Sequence, residues 1–344
     1  MRTQNTAYSA TSGISEALEI TRHDVCFTPH SLMHGTGQFC AQMSLLTGAC
    51  VVLLDSWSGE RGLAVLADSA TTWFLAAPPF VDDVIAATGG APASLPALRG
   101  IGSGATTVPK PFVAQVADVF GVPLRTSWGM TETGICTVTR GDDPADWAAH
   151  SDGRPIRGVE IDLRSGTDIT KDQPARLFVR GSGVCVATVG RDSGTMTVIA
   201  DHDDGWYDTG DLAVPDGRGG IRLMGRVGDR IGGLFMIPVN DVESELLAHP
   251  AVSDVALVGY PDGHGGELAC AVVVPATTPP VTLDELRSYL SAEGMTEWYL
   301  PTRLEHVDAL PRNDIGKVRK ELLRRRLASE DASARTGWCG TLPR

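Results

Sequence analysis

Short, continuous apolar runs alternate with helical segments from residue 14 to about 136, and this pattern constrains the fold more than any other feature. Ala49-Cys50-Val51-Val52-Leu53-Leu54, Thr72-Trp73-Phe74-Leu75-Ala76 and Val122-Pro123-Leu124-Arg125-Thr126 have strand length and composition. They lack the polar alternation of a strand with one wet face, so both faces must be covered. Between them, apolar residues 112, 113, 116, 119 and 120 fall on one helical face, and Gly121 suits the left-handed stop. Strand–helix alternation of this kind predicts an α/β lobe, about residues 14–150, built on a parallel sheet.

The texture then changes. Between about 154 and 225, glycines and short β-rich runs (159–163, 175–179, 220–224) predict an antiparallel, barrel-like lobe. A smaller α+β unit is expected over 226–330. It has an acidic first helical turn at Asp241 and Glu243, strands at 253–259 and 268–274, and a capping box at Thr282 and Glu285 before Leu286 and Leu290. The polar segment from Ala328 reads as frayed, with a flexible tail over 331–344. Residues 1–225 would thus form one large domain and 226–330 a small one.

Charge narrows the partners. The 29 Lys and Arg against 42 Asp and Glu leave −13, which disfavours nucleic acid and anionic membranes. No apolar run approaches the roughly 20 residues of a membrane span, and the first 20 residues lack a signal-peptide core. The seven cysteines are scattered, with neither a CxxC pair nor metal-ligand spacing. They read as reduced thiols, and the expected compartment is the cytoplasm.

Four polar clusters carry the chemistry. Ser127-Trp128-Gly129-Met130-Thr131-Glu132-Thr133-Gly134 follows a predicted strand; its hydroxyl and backbone N–H groups suit a phosphate, and its carboxylate suits Mg²⁺. Trp206-Tyr207-Asp208-Thr209-Gly210-Asp211-Leu212 offers a carboxylate able to accept from a vicinal diol. Gly225-Arg226 follows, then Leu310-Pro311-Arg312 with Gly316-Lys317. Taken singly, the first is also a capped strand-to-helix turn, the second a surface turn and the last a basic helix start.

In this order the clusters resemble the nucleotide-handling motifs of the adenylate-forming superfamily: acyl- and aryl-CoA synthetases, peptide-synthetase adenylation domains and luciferases. The resemblance spans about residues 14–326. It implies that Thr131 and Glu132 serve the α-phosphate and Mg²⁺, that Trp128, beside Gly129 and Met130, stacks on adenine, and that Asp211 takes both ribose hydroxyls with Arg226 as a further contact. It implies an adenine-edge role for Ser103, Gly104 and Ala105. It gives His34, in Leu32-Met33-His34-Gly35-Thr36-Gly37, a place in the acyl pocket, and makes Lys317 the lysine that bridges carboxylate and α-phosphate during adenylation. Gly228 stands at the family's interdomain hinge, and Gly232 and Gly233 border the pantetheine path.

The implied activity is acyl-CoA synthesis: a carboxylic acid is activated with ATP as acyl-AMP, with Mg²⁺, and passed to the thiol of CoA. One part is missing from these 344 residues. The family's Ser/Thr/Gly-rich phosphate loop, ending in Pro-Lys-Gly, does not occur, and the chain begins just after the point where that loop would end. Thioester formation from acyl-AMP needs less than adenylation, so this half-reaction is the minimum expected. The alternatives are a non-catalytic acyl-adenylate or acyl-CoA binder that partners an intact synthetase, and transfer to an amine or a carrier-protein thiol. A homo-oligomer or a complex with a partner chain is also expected.

Overall fold

The computed structural model describes residues 1–104, 108–190, 193–227, 231, 237–261, 267–313 and 316–336. It divides into two compact units, residues 1–170 with 174–223, and residues 171–173 with 224–344.

The first unit is built on a seven-stranded sheet of order β2-β1-β3-β4-β5-β6-β7. Its strands are β1 (Val25–Thr28), β2 (Cys50–Leu53), β3 (Trp73–Leu75), β4 (Gly100–Gly104), β5 (Leu124–Met130), β6 (Gly134–Val138) and β7 (Arg154–Pro155). The first five are parallel, and β6 and β7 add antiparallel at one edge. Neighbouring residues of one strand serve opposite cores, as two-sided burial requires. Phe27, Phe74, Ile101 and Leu124 join Leu66 of α3 (Gly59–Asp68), Val81 and Val84 of α4 (Pro78–Ala87) and Val113 and Val116 of α5 (Lys110–Phe120). Cys26, Trp73 and Leu75 instead join Ile14 of α1 (Gln4–Ala17) and Phe39, Cys40 and Met43 of α2 (Gly35–Thr47).

Helix α5 buries the face expected of it: Phe112, Val113, Val116, Val119 and Phe120. Each such side chain is worth about 1.5–3 kcal/mol of transfer free energy. Gly121 ends the helix at φ 66°, where a side chain would be strained.

The β-rich part of the chain forms a four-stranded antiparallel sheet, β13-β12-β9-β8, from β8 (Val159–Arg164), β9 (Ala175–Gly181), β12 (Tyr207–Pro215) and β13 (Ile221–Arg226). A two-stranded ribbon, β10 (Ala187–Val189) with β11 (Met196–Val198), accompanies it.

In the second unit, β14 (Val252–Pro261) pairs antiparallel with β15 (Glu267–Pro275), which pairs parallel with β16 (Arg303–His306). Val255, Leu257, Ala271 and Val273 pack with α6 (Val239–Ala248) and α7 (Leu283–Ala292). Ala256, Val258, Cys270 and Val272 face Leu323 and Leu327 of α8 (Lys320–Thr336). The capping box at Thr282 and Glu285 is present. Helix α8 runs on to Thr336, further than the frayed segment expected from Ala328. Its Glu321 and Arg325 pair at i,i+4 (2.8 Å), a contact that favours helix in a polar sequence.

Candidate functional site

Parallel strands bring their C-terminal ends to one edge, where ligands of open α/β sheets bind. Four connections meet there in the first unit. His30 follows β1, Ala77 follows β3, Ser103 and Gly104 end β4, and Trp128, Gly129 and Met130 end β5.

The sheet breaks its own regularity here. The β5–β6 register shifts between Trp128 and Gly129, and a Cβ on Gly129 would run into the carbonyl of Gly134. Thr133 N–H closes the turn onto Met130 O at 3.1 Å, and Gly134 leaves it at φ 70°. Cys185 N–H holds the turn from the side, donating to Glu132 O at 2.7 Å. Thr131 is exposed and Glu132 half-buried, and neither side chain makes a hydrogen bond or ion pair among the described residues. A hydroxyl and a carboxylate therefore stand at the tip of a fixed turn, available to a phosphate and a hard cation.

A second irregularity presents the neighbouring carboxylate. The β12–β9 register shifts between Asp208 and Leu212, with Gly210 at φ 72°. The bulge separates two aspartates that sequence alone leaves in one surface turn. Asp208 faces outward and takes Arg176 Nε at 2.8 Å. Asp211 is only 4% exposed. Its own N–H donates to Thr209 Oγ1 (3.0 Å), whose hydroxyl donates to Leu177 O (2.8 Å). Trp128 Nε1–H donates to Asp211 Oδ2 at 3.0 Å. Trp128 itself is buried among Cys136, Leu177, Val179 and Ala213. The motif tryptophan and the motif aspartate, 83 residues apart, are thus one unit. The two motifs point to these residues separately, and the bond between them emerges only in the fold.

Ser103 is buried, and its hydroxyl has no partner among the described residues. Ser127 Oγ reaches the Ser103 carbonyl at 3.4 Å. Gly104 has no room for a side chain against Ser127.

His34 caps α2: its Nδ1 accepts Thr36 N–H at 3.2 Å. The sequence reading missed its partner, although two histidines four apart in a non-helical stretch were a visible signal. His30 is buried and stacks on His34 with centroids 4.7 Å apart. Its Nε2 accepts Ala77 N–H at 3.2 Å, and Phe80 meets it edge-on at 4.9 Å. Burial pushes the His30 imidazole down to about 4, with His34 adding to the effect, and burial lowers His34 as well.

In the second unit, Lys317 lies in a tight hairpin. Its N–H donates to Asn313 Oδ1 at 2.8 Å, and Asn313 N–H returns to Lys317 O at 2.9 Å. Gly316 takes φ 80°. Arg312 anchors the incoming arm on Asp254 (2.6 Å). Lys320 anchors the outgoing arm on Glu243 (2.7 Å), whose Oε1 also accepts Leu257 N–H (2.6 Å). Arg226 is exposed at the end of β13. Ala105, Gly228, Gly232 and Gly233 lie outside the described residues.

Among the described residues six cysteines are free thiols: Cys26, Cys40, Cys50, Cys136, Cys185 and Cys270. Among the described residues no helix is long and apolar enough to cross a membrane.

Residues 1–186 match the model for AMP-binding enzymes, and residues 241–317 match the C-terminal domain of AMP-binding enzymes. A medium-chain fatty-acid–CoA ligase of Escherichia coli K12 is 33% identical over 332 residues, covering 94% of this chain and 58% of the relative. A 2,3-dihydroxybenzoate-AMP ligase of Bacillus subtilis is 28% identical, covering 83% and 53%. The structure of o-succinylbenzoate CoA synthetase from Bacillus subtilis, in complex with an acyl-adenylate intermediate, superposes with a TM-score of 0.81. It is 26% identical and is covered over 94% of this chain and 65% of its own. The chain spans less than two thirds of the length of each.

Proposed function

The chain belongs to the AMP-binding, adenylate-forming enzyme family, and from that premise we propose that it works on an acyl-adenylate and transfers the acyl group to the thiol of CoA. The observation that carries the reading is the buried Trp128–Asp211 pair beside the Thr131–Glu132 turn. A carboxylate offers about four lone-pair sites. A buried carboxylate held in place by the Trp128 indole is suited to accept from a ribose diol.

In this reading Asp211 fixes the ribose, with Arg226 as a further contact. Ser103, Gly104, Ala105, Trp128, Gly129 and Met130 form the adenine side. Thr131 takes the α-phosphate. The Glu132 carboxylate suits Mg²⁺, which keeps most of its shell for water and phosphate and needs only one or two protein carboxylates; bound there, it would neutralise phosphate charge. His34 lies on the acyl side, and Gly232 and Gly233 flank the pantetheine arm. Lys317 serves adenylation, where a positioned cation stabilises charge on phosphorus.

The transfer balances simply. The thiol sulfur forms a C–S bond to the acyl carbon, the C–O bond to phosphate breaks, AMP leaves with that electron pair, and the thiol proton goes to water. The likeness to a 2,3-dihydroxybenzoate-AMP ligase, a name that does not mention CoA, supports a second reading in which a carrier-protein thiol or an amine is the acceptor.

The test is a panel of synthetic acyl-AMPs with CoA, set beside ATP with the free acids. Thioester and AMP formation from at least one acyl-AMP is expected. No turnover with any acyl-AMP and no binding of AMP would overturn the reading, and turnover with an amine or carrier thiol alone would move it to the second.

A further inference from the structure

His30 and His34 face each other with rings 4.7 Å apart and 24° from parallel, and each gives one nitrogen to a backbone amide. Thr36 N–H occupies Nδ1 of His34 at 3.2 Å. Ala77 N–H occupies Nε2 of His30 at 3.2 Å. An imidazole nitrogen that accepts a hydrogen bond carries no proton, so the neutral rings hold theirs on the other nitrogen. His34 is therefore an Nε2–H tautomer and His30 an Nδ1–H tautomer. His34 is half-exposed, and its Nε2 makes no hydrogen bond among the described residues.

This arrangement decides between two chemistries. A general base needs a bare nitrogen turned to the reactants, and the bare nitrogen of His34 is spent on the helix cap. What remains is an N–H donor. Two stacked imidazoles also disfavour a cation on either, and burial acts in the same direction.

Resting on the acyl-adenylate reading above, we infer that His34 acts as a neutral hydrogen-bond donor, its Nε2–H serving the acyl carbonyl oxygen, and that His30 is the positioning residue that holds it. As sulfur adds to the acyl carbon, negative charge grows on that oxygen, and a fixed donor stabilises it. The tetrahedral carbon then expels AMP with the electron pair of the C–O bond, and the thiol proton passes to water. His34 takes no proton at any point. His30 meets no reacting atom. Bonded to the Ala77 amide and edge-on to Phe80, it fixes the plane on which His34 lies.

The full chain, labelled with ¹⁵N-histidine, gives the first readout. At pH 7 His34 should show the Nε2–H signature and His30 the Nδ1–H signature; an Nδ1–H signature for His34 would overturn the proposal. Thioester formation from acyl-AMP and CoA gives the second. His34→Gln keeps an N–H near the Nε2 position and should stay within about tenfold of the parent, whereas His34→Phe should lose about 100-fold or more. Equal loss in the two would mean that His34 is a base and not a donor. His30→Ala should blur the His34 tautomer signature and slow transfer, while His30→Phe, which can still stack, should preserve both. If His30→Ala, folded by circular dichroism, leaves signature and rate unchanged, His30 does not position the ring. If the parent chain turns over no acyl-AMP, the functional reading fails and takes the catalytic role of His34 with it, while the spectra still judge the tautomers.

Discussion

Asp211 shows how one residue can be needed twice. Its carboxylate accepts a buried indole N–H and, in the proposed function, the ribose diol. Asp211→Ala should cut AMP affinity at least tenfold in calorimetry, since hydrogen bonds to a charged acceptor are worth about 1.5–3 kcal/mol each. It should also cost stability, because Trp128 Nε1 is left buried and unpaired. Asp211→Asn separates the two effects, keeping an acceptor for Trp128 while weakening the ribose grip. An Asn variant with unchanged AMP affinity would remove the carboxylate charge from the site. His30 carries a different residue-scale consequence. Its folded value of about 4 lies below the ordinary 6.5, so between those values the unfolded chain binds the proton and the native ring does not. The contribution is fully present above pH 6.5 and is lost as pH falls towards 4, up to about 3 kcal/mol. Urea unfolding of His30→Phe should lose less stability than the parent across that window; parallel pH profiles would show that the ring is not buried neutral. Identity of motif residues was legible in sequence at this scale, and pairing was not. Trp128 to Asp211 spans 83 positions and His30 to Ala77 spans 47, and no local pattern encodes such contacts.

Elements were read most reliably where local chemistry decides them. Helix α5 had both its apolar face and its glycine stop in the sequence, and α7 had its capping box. The two bulges were invisible, although they turn the key side chains, because a register shift depends on the partner strand. The antiparallel addition of β6 and β7 to a parallel sheet and the reach of α8 were missed for similar reasons: each depends on what the segment packs against. One element-scale contact is open to direct measurement. Glu243 of α6 joins Lys320 of α8 to the Leu257 amide of β14, and so ties down the outgoing arm of the Lys317 hairpin. Glu243→Ala leaves a largely buried ammonium and a buried N–H unpaired, and should destabilise the second unit by about 3 kcal/mol. Glu243→Gln can still accept from Leu257 and should cost less. Equal denaturation midpoints for the Ala variant and the parent would mean that α8 is held by Leu323 and Leu327 alone.

At the scale of the molecule, the proposed chemistry divides between the two units. Asp211, Thr131 and His34 belong to the first and Lys317 to the second. The half-reactions need these residues unequally. In adenylation, charge accumulates on phosphorus and on departing pyrophosphate, where a lysine and a phosphate loop act. In thioester formation, charge accumulates on the acyl oxygen, where the His34 donor acts. The 344 residues contain Lys317 but no Ser/Thr/Gly-rich phosphate loop. Two outcomes should follow for this polypeptide. It should show little acid-dependent ATP–pyrophosphate exchange, because its 344 residues hold no Ser/Thr/Gly-rich loop ending in Pro-Lys-Gly, the kind that cradles the leaving phosphates. Lys317→Ala should leave thioester formation from supplied acyl-AMP within about twofold of the parent, since removing a cation costs rate only where charge develops beside it. Robust exchange by the pure chain would mean that other groups anchor pyrophosphate. Equal loss of both half-reactions in Lys317→Ala would mean that the lysine acts at the acyl carbon as well as at phosphorus, and the division of labour between the units would fall with it.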